Sequence, residues 1–577
     1  MVTLTINGEQ VTVPEGTTIM DAAKEVHIDI PHLCYLEGLK PYGACRVCVV
    51  EVEGEPRLAP SCIRVVGNGM KVKTSSVRVR RARRMALELI LADHPQDCLI
   101  CERNGNCELQ RLCFEMGVKR VRFKGDKPNL PLDETSSAIV RDPNKCILCG
   151  RCVRMCADVQ SVNAIGFVNR GSKTTIGTNM NAGLGKVQCV NCGQCIMVCP
   201  VGAIKERSFV DEVWAALADP EKHVVVQEAP GVRVALGEDL GLPVGTLVAG
   251  KMHAALRRLG FDAVFDTNFT ADLTIMEEGT ELVKRLTTGG KLPMITSCSP
   301  GWIKFAEHFY PDLLEHVSTC KSPQQMFGPL AKTYYAQKAG IDPAKIVSVS
   351  VMTCTAKKFE AQRPEMRASG YQDVDYVLTT RELARMIKEA GIEFASLPDE
   401  PAGDLMGSYT GAATIFGATG GVMEAALRTG YKLVTGKELD KIDIEPIRGL
   451  DGIKTATVKV GDLDLKVAVA HGLGNARKIM DEIRAGKSPY HFIEIMACPG
   501  GCVGGGGQPI GFDMAVRKAR AKALYGEDKN LPYRRSHENP SIKKIYDEFL
   551  GKPLGEKSHH LLHTHYTKRS ATSNTPE

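Results

Sequence analysis

The sequence predicts an α+β multidomain protein with a small β-rich domain first and a large α/β domain last. At 577 residues the chain is too long for one hydrophobic core. Alternating apolar and polar residues at 2–6 and 9–13 flank Asn7-Gly8, which predicts a β-hairpin. Beyond residue 210, apolar segments at 223–229 and 346–354 alternate with helical stretches, which indicates an α/β domain.

Helix signals follow the hairpin in order. Thr17 or Thr18 is expected to cap a helix that runs through about Val26. A second helix is predicted from about Ser76 to Ala92, because Pro95 prevents its continuation. The last residues, 557–577, are polar, and we expect them to form a tail that does not fold.

Composition excludes several classes of protein. A hydrophobic fraction of 43% with 24% charged residues is ordinary for a globular protein, and no apolar run is long enough to cross a membrane. A cytoplasmic location is expected, since the N-terminus has no secretion signal. The net charge of +6 is small for this length, and no nucleic-acid partner is expected. The basic run 78–84 could bind an acidic electron carrier, but a solvated helix face is the favoured interpretation.

Twenty-one cysteines are the most informative feature, because clustered thiols in a reducing compartment indicate metal. The first group is Cys34, Cys45, Cys48 and Cys62. Two ligands three positions apart share a tight loop and two come from flanking segments, as a [2Fe–2S] cluster requires. The spacing differs from that of plant-type ferredoxins, and a zinc site is the alternative.

The second group is His94, Cys98, Cys101 and Cys107, just after a helix stop. A histidine ahead of three cysteines at ligand spacing predicts a [4Fe–4S] cluster with one imidazole ligand. An all-cysteine alternative would have to recruit Cys113.

The third group is an internal repeat of C-x2-C-x2-C-x3-C, typical of two-cluster bacterial ferredoxins. In that pattern each cluster takes its fourth ligand from the other run. One predicted [4Fe–4S] site is therefore Cys146, Cys149, Cys152 and Cys199, and the other is Cys189, Cys192, Cys195 and Cys156. Four clusters in a row form an electron-transfer chain, so the chemistry must lie further along the sequence.

Three later segments identify a family resemblance: TSCSPGW at 296–302, MTCTAKKFE at 352–360 and EIMACPGGCVGGGGQP at 494–509. They resemble the signature segments of [FeFe]-hydrogenases, whereas residues 1–209 resemble a region that these enzymes share with the large iron–sulfur subunit of complex I. The resemblance implies the following domains: a β-grasp [2Fe–2S] ferredoxin-like domain at 1–77, a His-ligated [4Fe–4S] domain at 78–120, a two-[4Fe–4S] ferredoxin-like domain at 138–209, an α/β H-cluster domain at 210–525, a small-subunit-like segment at 526–560 and a polar tail at 561–577.

In that family the H-cluster is a [4Fe–4S] cubane joined through a cysteine sulfur to a two-iron unit with CO, CN⁻ and azadithiolate ligands. The resemblance implies cubane ligands at Cys354, Cys498 and Cys502, with Cys502 as the bridge. Most relatives have two adjacent cysteines in the first segment, a proton relay and then a ligand, but this chain has Cys298-Ser299. Either Cys298 is the relay and Ser299 occupies the ligand position, or Cys298 is the ligand and Ser299 carries protons; the first is favoured.

The resemblance also implies a proton route and further contacts to the cofactor. Glu278, Glu281 and Arg285 share one helix face, and with Ser318 they match the family's route. The carboxylates of such a route should have pKa values raised toward working pH. Further residues match contacts to the two-iron unit: Lys357 and Ala229-Pro230 at its cyanides, and Met352 and Met496 packed against it, although both methionines suit an ordinary core equally well. Cys113 and Cys320 are expected to be ordinary buried thiols.

The implied reaction is 2H⁺ + 2e⁻ ⇌ H₂, with electrons carried by one [2Fe–2S] and three accessory [4Fe–4S] clusters. The implied partner is ferredoxin, a flavoprotein NAD(P)H-oxidising subunit, or both. A subunit of an NAD(P)-linked or bifurcating complex is favoured over a monomeric ferredoxin hydrogenase. Because the chain has no Gly-x-Gly-x-x-Gly after a strand, nicotinamide chemistry would need another subunit. A hydrogen sensor, an iron–sulfur assembly factor and a complex I-type electron-transfer subunit are the alternatives.

Overall fold

The N-terminal domain is a five-stranded sheet with one short helix. The computed structural model describes residues 1–570. Asn7 (φ 51°) and Gly8 (φ 98°) form the predicted tight turn, because a two-residue hairpin needs positive φ at both positions. The hydroxyl of Thr18 accepts a hydrogen bond from the amide of Asp21 and caps the helix. Strand order is β2-β1-β5-β3-β4. The elements are β1 Val2–Ile6, β2 Glu9–Val13, α1 Ile19–Lys24, β3 Val49–Val52, β4 Ala59–Pro60 and β5 Lys71–Lys73.

The second domain is helical. Helix α2 (Val77–Asp93) is capped by the Ser76 hydroxyl, which accepts from the Val79 amide. It ends where His94 becomes extended, one residue before Pro95. The predicted bounds are confirmed to within a residue at each end. Helix α3 (Glu108–Glu115) follows the three predicted ligand cysteines of this domain and contains Cys113.

The third domain shows the internal repeat in three dimensions. Gly150 (φ 68°) and Gly193 (φ 67°) hold equivalent left-handed positions immediately before a short helix. A residue with a Cβ is disfavoured there, so each glycine lets the chain turn sharply between its cysteines. The elements are β6 Ile139–Arg141, α4 Arg151–Arg154, β7 Gly166–Val168, β8 Thr175–Gly177, α5 Gln194–Met197 and β9 Ile204–Glu206, with β6 paired to β9 and β7 to β8.

The large domain is built on two four-stranded sheets. The first, β11-β10-β13-β14, is entirely parallel, and in the second, β12-β17-β16-β15, only β15 is antiparallel. Parallel strands joined by helices confirm the α/β prediction for this region. Its strands are β10 His223–Glu228, β11 Ala263–Asp266, β12 Met294–Ile295, β13 Ile346–Met352, β14 Tyr376–Thr379, β15 Ile453–Val460, β16 Leu463–His471 and β17 Phe492–Met496.

Helices cover both sheets. The 22-residue α8 is the longest in the described chain, and its buried face packs against α10 and α15. The helices are α6 Val210–Leu217, α7 Ala249–Arg258, α8 Thr267–Thr288, α9 Pro300–Phe309, α10 Pro323–Leu330, α11 Ala336–Ala339, α12 Ala356–Ala361, α13 Thr380–Glu389, α14 Gly411–Thr414, α15 Gly421–Thr435, α16 Leu473–Arg484, α17 Met514–Asn530, α18 Pro540–Ile545 and α19 Glu556–Leu562.

The prediction that the C-terminal residues form an unfolded polar tail is wrong for residues 557–570. Helix α19 buries Leu561 and Leu562, and His563 is 6% exposed. The segment folds because these apolar side chains join the core beneath α8 and α10, which outweighs its polar composition. Residues 571–577 of the predicted tail lie outside the described residues. Among the described helices, none combines the length and the hydropathy that spanning a membrane would require.

Candidate active site and cluster sites

Four of the predicted segments meet where parallel strands end. Ala229-Pro230 follow β10, the TSCSPGW segment follows β12, and the other two signature segments run out of β13 and β17. The carboxyl ends of parallel strands point to one edge of a sheet, which is where α/β folds form crevices. Because these strands come from both sheets, the crevice lies between the sheets and is enclosed.

This crevice is a buried cavity with an empty volume of about 820 Å³. It brings together all but four of the residues that the family resemblance assigned to the catalytic centre. The predicted residues that line it are Ala229, Pro230, Cys298, Ser299, Met352, Cys354, Lys357, Met496, Cys498 and Cys502. The remaining four, Glu278, Glu281, Arg285 and Ser318, lie behind Cys298 on the way to the surface.

No cysteine of the chain forms a disulfide; among the cavity thiols Cys498 is buried, and Cys298, Cys354 and Cys502 are half-buried. Burial raises the pKa of Cys354, and it raises that of Cys502 to about 12. The pKa of Cys498 is raised well above its usual value by burial and then by the neighbouring Cys354, Cys192 and Cys502. A group of thiols that cannot easily ionise alone is suited to bind a positively charged metal centre, which stabilises the thiolate form.

The glycines after Cys502 allow three backbone segments to meet at the cavity. A Cβ on Gly505 would lie 2.1 Å from the carbonyl oxygen of Thr353, and one on Gly506 would lie 2.5 Å from that of Cys192. Only glycine permits this packing. The loop is further fixed by Gln194, whose amide donates to the Gly504 carbonyl oxygen at 2.8 Å.

Cys298 and Ser299 face different neighbours. The pKa of Cys298 is raised well above its usual value by burial and then by the charges of Glu278 and Cys502. The Ser299 hydroxyl instead accepts a hydrogen bond from the Ala497 amide at 3.2 Å, beside Cys498. The Cys298 thiol therefore lies near both Glu278 and Cys502, and the Ser299 hydroxyl lies against the backbone of the cysteine loop after β17.

Behind Cys298 a line of polar groups leads out of the cavity. Glu278 is 1% exposed, and burial followed by the charge of Glu281 raises its pKa to about 8, as the sequence predicted for a relay carboxylate. The Ser318 hydroxyl donates to Glu281 at 2.8 Å. Arg285 then contacts Glu281 at 2.6 Å, with 13% of its side chain exposed.

Lys357 places a positive charge at the cavity wall. Its ammonium donates to Glu360 at 2.8 Å and to the Cys298 carbonyl oxygen at 3.3 Å. Gln324, which the sequence analysis missed, also lines the cavity, and its amide donates to Glu360 at 3.2 Å. Phe416 and Thr353 were missed as well; no spacing signal marks such residues, because the fold alone brings them to the wall.

The repeat cysteines lie in two groups, and each group contains members of both runs. Cys146, Cys149, Cys152 and Cys199 line one pocket with an empty volume of about 410 Å³. After burial, the neighbours that most raise the pKa of Cys195 are Cys192, Cys189 and Cys156. Cys192 also lines the catalytic cavity, a position that the sequence did not reveal.

In the second domain, His94 carries a polar atom without a partner. Its Nδ1 lies 2.6 Å from the Pro95 carbonyl oxygen, whereas its Nε2 is buried with no hydrogen bond. Burial lowers the pKa of His94, so the imidazole is neutral and Nε2 can bind a metal. Cys101 lies against Gly202 of the third domain, where a Cβ would meet its sulfur at 2.9 Å.

The cysteines of the first group lie close together. The sulfurs of Cys48 and Cys62 are 3.4 Å apart, and hydrogen bonds from Cys45 and then Cys62 lower the pKa of Cys34. Arg154 of the third domain donates to the carbonyl oxygens of Cys34 and Cys149. Both the first and the second group thus lie against the pocket of Cys149 and Cys199, so the sites form two branches that converge, not the single row that the sequence suggested.

Models of known protein families match nearly the whole chain. The 2Fe–2S iron–sulfur cluster binding domain matches residues 1–77, the NADH-ubiquinone oxidoreductase-G iron–sulfur binding region 83–122, and the ferredoxin-like domain of NADH-quinone oxidoreductase subunit 3 residues 136–205. The C-terminal domain of the iron-only hydrogenase large subunit matches 222–506, and the iron hydrogenase small subunit 514–569.

Curated relatives agree over the full length. The NADP-reducing hydrogenase subunit HndD of Solidesulfovibrio fructosivorans is 55% identical over 99% of each chain. The chain belongs to the [FeFe]-hydrogenase family. Iron hydrogenase 1 of Clostridium pasteurianum is 45% identical over 98% of this chain and 100% of that one. The structure of an apo [FeFe]-hydrogenase from Chlamydomonas reinhardtii is 47% identical and covers 63% of this chain and 99% of its own, with a TM-score of 0.56.

This [FeFe]-hydrogenase is therefore an oxidoreductase that acts on H₂, with [2Fe–2S] and [4Fe–4S] ferredoxin-like domains ahead of a catalytic domain. Its residues fit the family's cofactors. The unpartnered Nε2 of His94, the thiol-lined pocket and the glycine loop at the cavity are what bound clusters require.

Proposed function

We propose that the cavity between the two sheets holds the H-cluster, with Cys354, Cys498 and Cys502 as cubane ligands and Cys502 as the bridge to the two-iron unit. When bound, that cofactor supplies the iron chemistry that makes and cleaves H₂. The single observation that carries this proposal is the convergence of these three cysteines with Cys298 and Lys357 in one buried cavity.

The wall residues then have separate tasks. The positive charge of Lys357 favours an anionic ligand at its side of the cavity, and Ala229-Pro230 present backbone and ring at the same wall. Met352 and Met496 exclude water with polarisable apolar groups. A dry, pre-formed wall strengthens each of these contacts.

Protons move between the cavity and the surface through Cys298, Glu278, Ser318 and Glu281 in that order, with Arg285 at the outer end. Cys298 is the group of this route that lines the cavity, and the raised pKa of Glu278, about 8, allows its carboxyl to gain and lose a proton near neutral pH. Ser299 occupies the fourth ligand position beside the cubane, because its hydroxyl faces the Ala497–Cys498 backbone and not the carboxylates.

Four accessory clusters, held by residues of the first three domains, would supply the electron transfer to the cavity. A [2Fe–2S] cluster is bound by Cys34, Cys45, Cys48 and Cys62, and a [4Fe–4S] cluster by His94, Cys98, Cys101 and Cys107. Two further [4Fe–4S] clusters occupy the crossed sets of the repeat: Cys146, Cys149, Cys152 and Cys199, then Cys156, Cys189, Cys192 and Cys195. Cys192 is the last protein contact before the H-cluster, since it belongs to a repeat set and to the cavity wall.

The chain acts as the hydrogenase subunit of an NADP-linked complex, with a flavoprotein, ferredoxin or both as electron partner. Support comes from the 55% identity to a subunit of an NADP-reducing hydrogenase. The second domain offers a docking surface, because Cys98 is exposed and its neighbours Leu99 and Ile100 are 91% and 83% exposed. We also propose a cytoplasmic location, since a chain with 21 cysteines and no disulfide is typical of a reducing compartment.

The roles of Cys298 and Ser299 are tested with a pair of variants. Cys298→Ala should lower H₂ turnover at least about 100-fold while the infrared bands of CO and CN⁻ remain, because a relay is lost and the cofactor is kept. Ser299→Ala serves as the matched control, and it should disturb the cubane electron paramagnetic resonance (EPR) signal more than Cys298→Ala does. Loss of the cubane signal in Cys298→Ala would show that Cys298 is a ligand and reverse the assignment.

A further inference from the structure

The outer end of the proposed proton route is covered by a group that cannot carry protons. The guanidinium of Arg285 donates to Oε1 of Glu281 through both Nε, at 3.1 Å, and Nη2, at 2.6 Å. It also donates to backbone carbonyl oxygens, including that of Val317 at 2.9 Å. An arginine side chain stays protonated throughout the working pH range, so it holds Glu281 in place but does not exchange its proton.

The C-terminal segment brings a titratable group to the other side of Glu281. Backbone residues 319–321 pair with 562–564, where the Lys321 amide donates to the Leu562 carbonyl oxygen and the Thr564 amide to that of Thr319, both at 2.8 Å. This pairing places His563 directly opposite Cys320. The position of the histidine is therefore set by main chain as well as by packing.

A hydroxyl connects this histidine to the route. Nδ1 of His563 lies 2.8 Å from the Thr319 hydroxyl, and that hydroxyl lies 3.4 Å from Oε2 of Glu281. The Thr319 amide also donates to the same carboxylate oxygen at 3.1 Å. The Thr319 hydroxyl thus links the His563 imidazole to Oε2 of Glu281, whereas Arg285 binds Oε1.

The other ring nitrogen is paired with a buried carboxylate. Nε2 of His563 lies 3.1 Å from Glu277, which accepts hydrogen bonds from the Tyr546 hydroxyl at 2.6 Å and the Leu554 amide at 2.8 Å. Glu277 is thus held in place by two donors, and the imidazole of His563 is held between this carboxylate and the Thr319 hydroxyl.

The imidazole of His563 is itself buried, with 1% of its side chain exposed, and His559 separates it from solvent. The ring of His559, an exposed residue, stacks on it with centroids 4.6 Å apart. The titratable and charged groups that face this pair from α8, α18–α19 and the Thr319 loop are Glu277, Glu281, Lys284, Cys320 and Tyr546.

We propose that His563 carries protons between solvent and Glu281 through the Thr319 hydroxyl, which makes the C-terminal segment part of the proton route. This inference rests on the proposed route through Glu278, Ser318 and Glu281. Imidazole is suited to the task because its charge changes near neutral pH.

For H₂ production the step balances as follows. The imidazolium of His563 gives its Nδ1 proton to the Thr319 oxygen while the Thr319 hydroxyl gives its own proton to the Glu281 carboxylate. One N–H bond breaks, one O–H bond forms on Glu281, and no electrons move. Solvent then returns a proton to His563, and H₂ oxidation uses the reverse sequence.

The test uses the full chain with its clusters and cofactor loaded, and a low-potential dye as electron donor. His563→Gln should lower H₂ production about tenfold at neutral pH, raise the solvent deuterium isotope effect, and be partly rescued by added imidazole. Thr319→Val should lower turnover similarly, whereas Thr319→Ser keeps the hydroxyl and should retain turnover. His537→Gln is the matched control, since His537 also lies between a threonine hydroxyl (Thr429, 3.2 Å) and a glutamate (Glu438, 3.1 Å).

The contrary outcomes are distinct. If His563→Gln matches the wild type while Glu281→Gln loses turnover, the route stands and the His563 branch is wrong. If Glu281→Gln also keeps full turnover, the underlying route is wrong and the branch falls with it. A loss in His563→Gln that comes with a lower melting temperature and no imidazole rescue would assign the residue a purely structural role and overturn the proposal.

Discussion

The cluster-bearing domains and the catalytic domain build their sites in opposite ways. In the former, Cys146, Cys149 and Cys152 come from one short loop and the start of α4, and all three line the same pocket. In the latter, Ala229, Cys354 and Cys502 come from distant parts of the sequence and meet only because strands of two sheets end at one cavity. When one loop supplies the ligands, their spacing in the sequence predicts the site. When strands of two sheets supply them, no spacing in the sequence predicts it.

The contrast is not complete, because the first region also contains long-range contacts. Cys199 lies with the earlier repeat run, and Arg154 joins the first domain to the third through the carbonyl oxygens of Cys34 and Cys149. These contacts make the sites converge. Variants in each region can therefore show whether local spacing or long-range packing controls function there.

The largest effect is expected in the catalytic domain. Glu278→Gln keeps the shape of the side chain but removes its ability to exchange a proton, so H₂ turnover should fall about 100-fold. In the wild type, H₂ production should decline as pH rises through about 8, because above the raised pKa of Glu278 its carboxyl no longer holds a proton to donate. The pH profile of dye-driven H₂ production measures both expectations.

Asp272→Asn is the matched control, because Asp272 is a buried carboxylate of the same helix, bound to Thr410 at 2.6 Å and to Asn539 at 3.0 Å. It should leave the pH profile unchanged. Turnover in Glu278→Gln that equals that of the wild type would remove Glu278 from the route.

An intermediate effect is expected from the crossed ligand. Cys199→Ser should lower H₂ turnover driven by the protein electron partner about tenfold, because both branches converge on its site. It should also remove one [4Fe–4S] EPR signal. The double variant Cys199→Ser/Cys146→Ser should lose one cluster in total, because both residues belong to the same set. The double variant Cys199→Ser/Cys189→Ser should lose two clusters in total. Two clusters lost with Cys146→Ser would show that the runs do not cross. Cys113→Ser is the control and should keep every cluster.

The smallest effect is expected at His94. His94→Ala should lose one cluster yet reduce partner-driven turnover only about threefold, because the first-domain branch still reaches the shared site. His94→Cys should keep the cluster, since a thiolate replaces the imidazole. Full iron content in His94→Ala, together with iron loss in Cys113→Ser, would favour the all-cysteine alternative. Iron analysis and EPR of the reduced protein distinguish these outcomes.

Much of the fold was predictable, for reasons visible in single residues. The turn at Asn7-Gly8, the cap at Thr18 and the helix start near Ser76 were confirmed, because such signals act within a few residues. The C-terminal tail was mispredicted, because Leu561 and Leu562 find their apolar partners on distant helices that no local pattern shows. For the same reason no local pattern predicted that Gln324 and Cys192 line the cavity.

The sequence by itself predicted which side chains bind iron and how they are grouped, because ligand spacing along one loop is a local property. Its similarity to the three signature segments further indicated the chemistry. Only the tertiary structure shows that the cluster sites lie close to one another. It also shows that the Cys298 thiol lies near Glu278, that the Ser299 hydroxyl binds the Ala497 amide, and that His563 lies one hydroxyl away from Glu281. These relations join residues far apart in the chain, and only the packing of the two sheets and the helices around them brings such residues into contact.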